Sequence, residues 1–124
     1  MDPAAVARFF ASPLGRAMAE SDSLCREYPF SILASAKQFY PDAPEGEEIL
    51  LQGVIDAWFR EPDGITIVDF KSDRVSPGAV KDRAETYRGQ LAAYAYALEE
   101  LTGLPVRRQI LWFLRPNVPV YLEG

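Results

Sequence analysis

The sequence predicts a mixed α/β fold, a β-sheet flanked by helices. Three observations predict it. Two β-rich runs, Ile55 to Phe59 and Ile65 to Phe70, are separated by Glu61-Pro62-Asp63-Gly64, with Pro early and Gly late as a reverse turn prefers. A long helix follows, starting at Ser76-Pro77 and running to about Leu101, where Thr102-Gly103 and then Pro105 stop it. Apolar runs before and after these elements supply further strands, and the order becomes α-α-β-β-β-α-β-β.

At the amino end, Asp2-Pro3 is a helix start, Asp as N-cap and Pro at the first helical position. Ala4 to Ala11 continues that helix with Val6, Phe9 and Phe10 as anchors. Ser12-Pro13 repeats the signal, so a second helix is expected from Pro13 to about Glu20. Both should pack on the sheet. Leu24 to Ala34 is expected to be a strand, and Pro29 marks it as an edge or an irregularity, because proline cannot donate to a ladder. Ala36 to Glu48, rich in Pro, Gly and acids, is a surface loop without chemistry. Gly53 leaves room on its strand for another element. In the long helix, Tyr87, Gln90 and Tyr94 are spaced by three and four and share a face, with Leu91, Ala95 and Leu98 as the adjoining apolar stripe. Val106 to Leu114 and Val118 to Leu122 are strands joined by a Pro-Asn turn, with Arg107 and Arg108 at the sheet rim.

The hairpin spacing carries the chemistry. With Pro62 and Asp63 as the central turn residues, Asp56 faces Asp69 across the antiparallel pair. Lys71 lies two residues further on, so it shares the face of Asp69. Opposed like charges are unfavourable unless they share a proton, pair with cations or bind a metal ion. Two aspartates at this separation suit Mg²⁺, which takes oxygen ligands and keeps several waters. Val54, Trp58 and Ile67 flank these charges and favour a partly buried site. The plainer reading is a surface hairpin with an Asp–Lys salt bridge, worth little to stability.

Composition narrows the alternatives. The chain has 124 residues, 48% of them hydrophobic, which fits one domain with a real core. One cysteine excludes an internal disulfide, and the absence of histidine excludes a Ser-His-Asp triad and a histidine-based zinc site. No apolar run is long enough to span a bilayer and no signal peptide is evident, so a cytoplasmic protein is expected. A net charge of −5 argues against a free-standing DNA binder, since phosphate contacts need Lys and Arg. It is compatible with a domain cut from a longer chain that delivers nucleic acid to it. Arg74, Lys81, Arg83 and Arg88 flank the site, either as phosphate contacts or as a solvated face.

GVIDAWF, then IVDFKSD, then a helix containing YRGQLAAYAYAL, resembles the RecB-type nuclease domain of the PD-(D/E)xK superfamily. The resemblance runs from about Leu24 to Leu114 and is strongest to the nuclease domain that closes AddA-type helicase–nuclease subunits. It implies a restriction-endonuclease-like core and a metal-dependent deoxyribonuclease of exonuclease type. It further implies Mg²⁺ (or Mn²⁺) on Asp56, Asp69 and the Phe70 backbone carbonyl, with Lys71 beside the bound water. Gln90 and Tyr94 match the family's Q-x-x-x-Y motif, near metal and nucleic-acid backbone; the alternative for both tyrosines of this helix, Tyr87 and Tyr94, is a core role. Glu27 matches a glutamate before x-P-F that lies near the active site; its alternative is a solvated edge glutamate. Some members use an upstream histidine as a further ligand, and this chain has none, so Glu27 or water would take that place. The implied partners are single-stranded DNA, a helicase domain in the same chain and a second nuclease/helicase subunit. The rival is a catalytically inert nuclease-fold module with a DNA-binding or scaffolding role.

Overall fold

The computed structural model describes residues 3–122, so the Asp2 cap lies outside the described residues. Helices α1 (Pro3–Ala11) and α2 (Pro13–Glu20) come first. Strands β1 (Cys25–Ser35), β2 (Glu48–Glu61) and β3 (Gly64–Lys71) follow as an antiparallel meander. Helices α3 (Val80–Glu85) and α4 (Arg88–Thr102) then carry the chain across the sheet to β4 (Val106–Phe113), which pairs with β3 in parallel. Strand β5 (Val118–Leu122) closes the far edge, and the five strands lie in the order β1-β2-β3-β4-β5. A parallel neighbour needs such a crossover, because a tight turn joins only antiparallel strands.

The sheet is covered on both faces. Ile65, Ile67, Leu111 and Phe113 pack toward α4, against Leu91, Tyr94, Ala95 and Leu98. Val68, Trp112, Leu114, Ala57 and Phe59 pack toward α1 and α2, against Ala5, Phe9 and Met18. Central strands buried on both sides explain why β3 and β4 read as nearly continuous apolar runs. The edge position of β1 explains how Pro29 is accommodated. Of the three anchors expected on α1, Phe9 is fully buried, Val6 is half-buried and Phe10 stays exposed.

Two expectations are corrected. The long helix is broken in two after Glu85, because Thr86 N–H and Tyr87 N–H turn back to the carbonyls of Arg83 and Ala84, three residues earlier. The Thr86 hydroxyl also donates to the Arg83 carbonyl at 2.6 Å, competing with helical continuation. Its end is as expected, with Gly103 in the left-handed conformation (φ 73°) that glycine adopts without steric penalty. Val54, expected to help bury the site, is 50% exposed on β2, whereas Trp58 and Ile67 are buried.

The α1–α2 elbow is set by close approach. Ser12 caps α2, its side chain accepting from Gly15 N–H at 3.0 Å. A Cβ on Gly15 would stand 2.1 Å from the Phe9 carbonyl oxygen and 2.6 Å from Phe10 Cα, and neither backbone atom can swing aside. Gly15→Ala is therefore expected to destabilise the protein by about 2–3 kcal/mol through overpacking, against the gain of about 1 kcal/mol that alanine brings to an open helix. Urea unfolding decides the sign: a variant as stable as wild type, or more stable, would contradict the packing account.

Candidate active site

The hairpin register is the one the turn chemistry implies. Glu61↔Gly64 leads back through Trp58↔Ile67 to Ala57↔Val68, and the next step brings Asp56 opposite Asp69. At that step the backbone ladder between β2 and β3 ends. An Asp56 carboxylate oxygen takes over as acceptor, receiving the Phe70 N–H at 2.9 Å. The Lys71 carbonyl accepts Leu114 N–H at 2.9 Å on the β4 side. Successive peptide groups of a strand point to opposite neighbours, so the Phe70 carbonyl points to the β2 side, into the gap where pairing has stopped.

Asp56 is freed by an irregularity in β2. Ile55 packs toward α4, but Ala57, two residues on, packs toward α1 and α2. Regular alternation would put both on one face, so the strand carries an extra residue here. Strand β1 matches it. Arg26 pairs with Ala57 and Tyr28 with Ile55, which sets Glu27 opposite Asp56, and Glu27 has a positive φ of 50°. Both strands gain a residue at the same level, so register survives while Asp56 is turned out of the regular pleat. Non-glycine residues in this conformation cost energy and cluster at functional sites.

Asp69 is 2% exposed, in a strand whose other face is also covered. Burial pushes its carboxyl up to about 6, Lys71 opposes the shift and the nearby Asp56 charge adds to it. Lys71 Nζ lies 2.7 Å from Asp69 Oδ2, a close ion contact without the alignment of a hydrogen bond, and that oxygen has no hydrogen-bond partner. The ammonium donates instead to Gln90 Oε1 at 2.9 Å and stands 4.0 Å from the centre of the Tyr87 ring.

Tyr94 is a core residue by its ring and lies near the carboxylates by its hydroxyl. Its ring is buried against Phe30, with centroids 5.6 Å apart, and it crosses β2 where Gly53 has no side chain. Its hydroxyl pKa is raised, first by burial and then by the charges of Asp69 and Asp56, with a Gln90 hydrogen bond opposing. Asp56, Asp69, Lys71, Gln90 and Tyr94 thus converge from β2, β3 and α4. Glu27 stands beside them, not among them. It is exposed, and with Asp56, Phe70 and Ser72 it lines a cleft of about 360 Å³ walled on the other side by Val6 and Phe10 of α1.

The basic residues divide. Arg83 lies 3.6 Å from Asp73 and Arg88 2.9 Å from Glu85, so both face acids of their own neighbourhood, while Arg74 and Lys81 are exposed. At the turn, Arg108 pairs with Asp63 at 3.0 Å and holds that carboxyl below its usual range. Asp73 is the residue that sequence reasoning missed: it accepts the Tyr87 hydroxyl at 2.8 Å. Its position two residues after Lys71, the same step that separates Lys71 from Asp69, was the available signal.

A model of the PD-(D/E)XK nuclease superfamily matches residues 4–121 of this chain. An ATP-dependent helicase/nuclease subunit of Acetivibrio thermocellus is 46% identical over 116 residues, covering 90% of this chain and 9% of that one. Its counterpart of the same description in Carboxydothermus hydrogenoformans is 41% identical over 115 residues, covering 92% and 10%. That of Bacillus mycoides is 40% identical over 127 residues, covering 95% and 10%. The chain spans about a tenth of the length of these curated relatives.

Proposed function

Since the chain belongs to the PD-(D/E)XK nuclease superfamily, we propose that it hydrolyses DNA phosphodiester bonds with the help of a divalent cation, Mg²⁺ or Mn²⁺. The observation that carries this reading is the meeting of Asp56 and Asp69 beside Lys71, where the β2–β3 ladder opens. The donor set fits such an ion. Asp69 Oδ2 is buried with only the Lys71 ammonium against it, a second carboxylate adjoins it, and the Phe70 carbonyl points into the same gap. Among the described residues no cluster of three or more His, Cys, Asp or Glu side chains is gathered to hold a metal, so a cation here would draw on these two carboxylates, the backbone carbonyl and water.

Asp56 and Asp69 would hold the ion, with the Phe70 carbonyl as a third oxygen and water completing the shell. Bound there, it supplies a water of lowered pKa and withdraws charge from the scissile phosphate. Lys71, held between Asp69 and Gln90, would orient the attacking water and offset the charge that builds on phosphorus. Gln90 presents its amide and Tyr94 its hydroxyl to the DNA backbone beside the carboxylates. Glu27 faces Asp56 across β1–β2 and would reach the ion through water. No helix among the described residues is long and apolar enough to cross a membrane. In the cell we place the chain in the cytoplasm as the nuclease part of a helicase–nuclease subunit, receiving single-stranded DNA from a helicase in the same chain and working with a second nuclease/helicase subunit.

The test pairs cleavage with ion binding. End-labelled and circular single-stranded DNA are incubated with the protein and Mg²⁺, and Mn²⁺ binding is followed by calorimetry. Asp56→Asn is expected to lower cleavage about 100-fold or more and to abolish the Mn²⁺ site. A protein that binds Mn²⁺ no differently from Asp56→Asn, and cleaves neither substrate, would be an inert scaffold.

A further inference from the structure

We propose that Tyr87, oriented by Asp73, is a positioning residue that fixes the ammonium of Lys71. The inference rests on the nuclease reading above, since it assigns a means of placing that reaction's amine. A lysine ends in a compact charge on a flexible four-carbon stem, so its position must be imposed from outside. Three contacts impose it here: Asp69 Oδ2 at 2.7 Å, Gln90 Oε1 at 2.9 Å and the Tyr87 ring face at 4.0 Å. The first two are polar contacts on a strand residue and a helix residue. The third is the ring, and an aromatic face attracts a cation without neutralising it or taking a proton donor from it.

Tyr87 is itself held. Its hydroxyl donates to both oxygens of Asp73, at 2.8 and 3.1 Å, and Arg83 lies 3.6 Å from the same carboxylate. Asp73 belongs to the segment that leaves β3 directly after Lys71, so the ring is tied to the strand that carries its cation. The broken helix is the device that makes this reach possible. Tyr87 occupies the N-cap of α4 with φ −102° and ψ 0°, at the break between α3 and α4. The core alternative explains less: Tyr87 is only half-buried, and a leucine would fill its contact with the core equally well.

The experiment compares Tyr87→Phe, Tyr87→Leu and Asp73→Asn in the protein with Mg²⁺ and single-stranded DNA. Tyr87→Leu is expected to lower kcat about tenfold while KM stays within about twofold, and Tyr87→Phe, which keeps the ring, to stay within about threefold of wild type. Asp73→Asn, whose amide oxygen can still accept the Tyr87 hydroxyl, should be no more impaired than Tyr87→Phe. A readout independent of activity is the ring-current shift of the Lys71 ε-methylene, one of three lysines in the chain. It should lie upfield in wild type and Tyr87→Phe and revert in Tyr87→Leu. If wild type cleaves nothing yet the Lys71 resonance is shifted, the nuclease reading fails and the placement stands. If wild type cleaves but Lys71 is unshifted, or if Tyr87→Phe is as impaired as Tyr87→Leu, the role of the ring is refuted.

Discussion

Asp69→Asn is expected to eliminate Mg²⁺-dependent cleavage and at the same time to make the metal-free protein more stable at pH 8. The two effects have one cause. Asp69 is buried, and its carboxyl is raised from the ordinary 3.8 to about 6, first by burial and then by the Asp56 charge against the pull of Lys71. A raised carboxyl pKa means that the folded state resists the ionised form. Above pH 6 the native protein carries a charge that the unfolded chain would hold at less cost. Below about pH 4 both states are protonated and the difference vanishes. For this group stability therefore rises as pH falls from 7 towards 4, by roughly 2–3 kcal/mol. Asparagine mimics the neutral form, so the variant should lose that pH dependence and melt about 5 °C or more above wild type at pH 8 in EDTA. Adding Mg²⁺ should reverse the order if, as proposed, wild type binds the ion through Asp69 and so gains stability that the variant does not. Scanning calorimetry at pH 5 and pH 8, with and without Mg²⁺, reads all four conditions. A variant less stable than wild type at pH 8 in EDTA would contradict the claim that the carboxylate is strained in the fold.

Lys71→Met should also remove activity, by about 100-fold or more, but with the opposite effect on stability. The lysine side chain is 14% exposed and the Asp69 side chain 3%, so this pair is shielded from water. Removing the cation leaves a buried carboxylate opposite Asp56 with its one compensating charge gone. Breaking such a pair from one side costs several kcal/mol, of order 3. The cost should grow as pH rises through the range in which Asp69 ionises, and shrink towards pH 4. Lys71→Met combined with Asp69→Asn should recover most of the lost stability and none of the activity. That non-additivity separates an electrostatic loss from a packing loss, since methionine fills the same space as the lysine stem. Equal melting temperatures for Lys71→Met and wild type at pH 8 would show that the ion contact contributes nothing.

The hairpin was readable because its determinants are local. Pro62, Asp63 and Gly64 set the turn, the turn sets the register, and register with period-two alternation sets which residues face each other. Helix α2 was readable to its ends for the same reason: Ser12 and Pro13 start it by chemistry that acts within one turn. Tyr94 was harder, because burial in the core and nearness to the carboxylates were offered as alternatives and its geometry has both, ring inward and hydroxyl near the carboxylates. The helix break at Thr86-Tyr87 was not readable. Nothing in that stretch forbids a continuous helix, and one of the bonds at the break, from the Tyr87 hydroxyl to Asp73, reaches a residue fourteen positions away.

By itself, the sequence determined that two aspartates and a lysine would meet on one hairpin, because neighbours along a chain and across a tight turn obey short-range geometry. Only the tertiary structure decided what that meeting is worth. It buried Asp69 under α4, ended the ladder so that Asp56 and the Phe70 carbonyl open into one gap, and slid Tyr87 beneath Lys71. Those outcomes depend on helices and strands that lie far apart in the chain, and their charges respond to burial and distance, which no local pattern encodes.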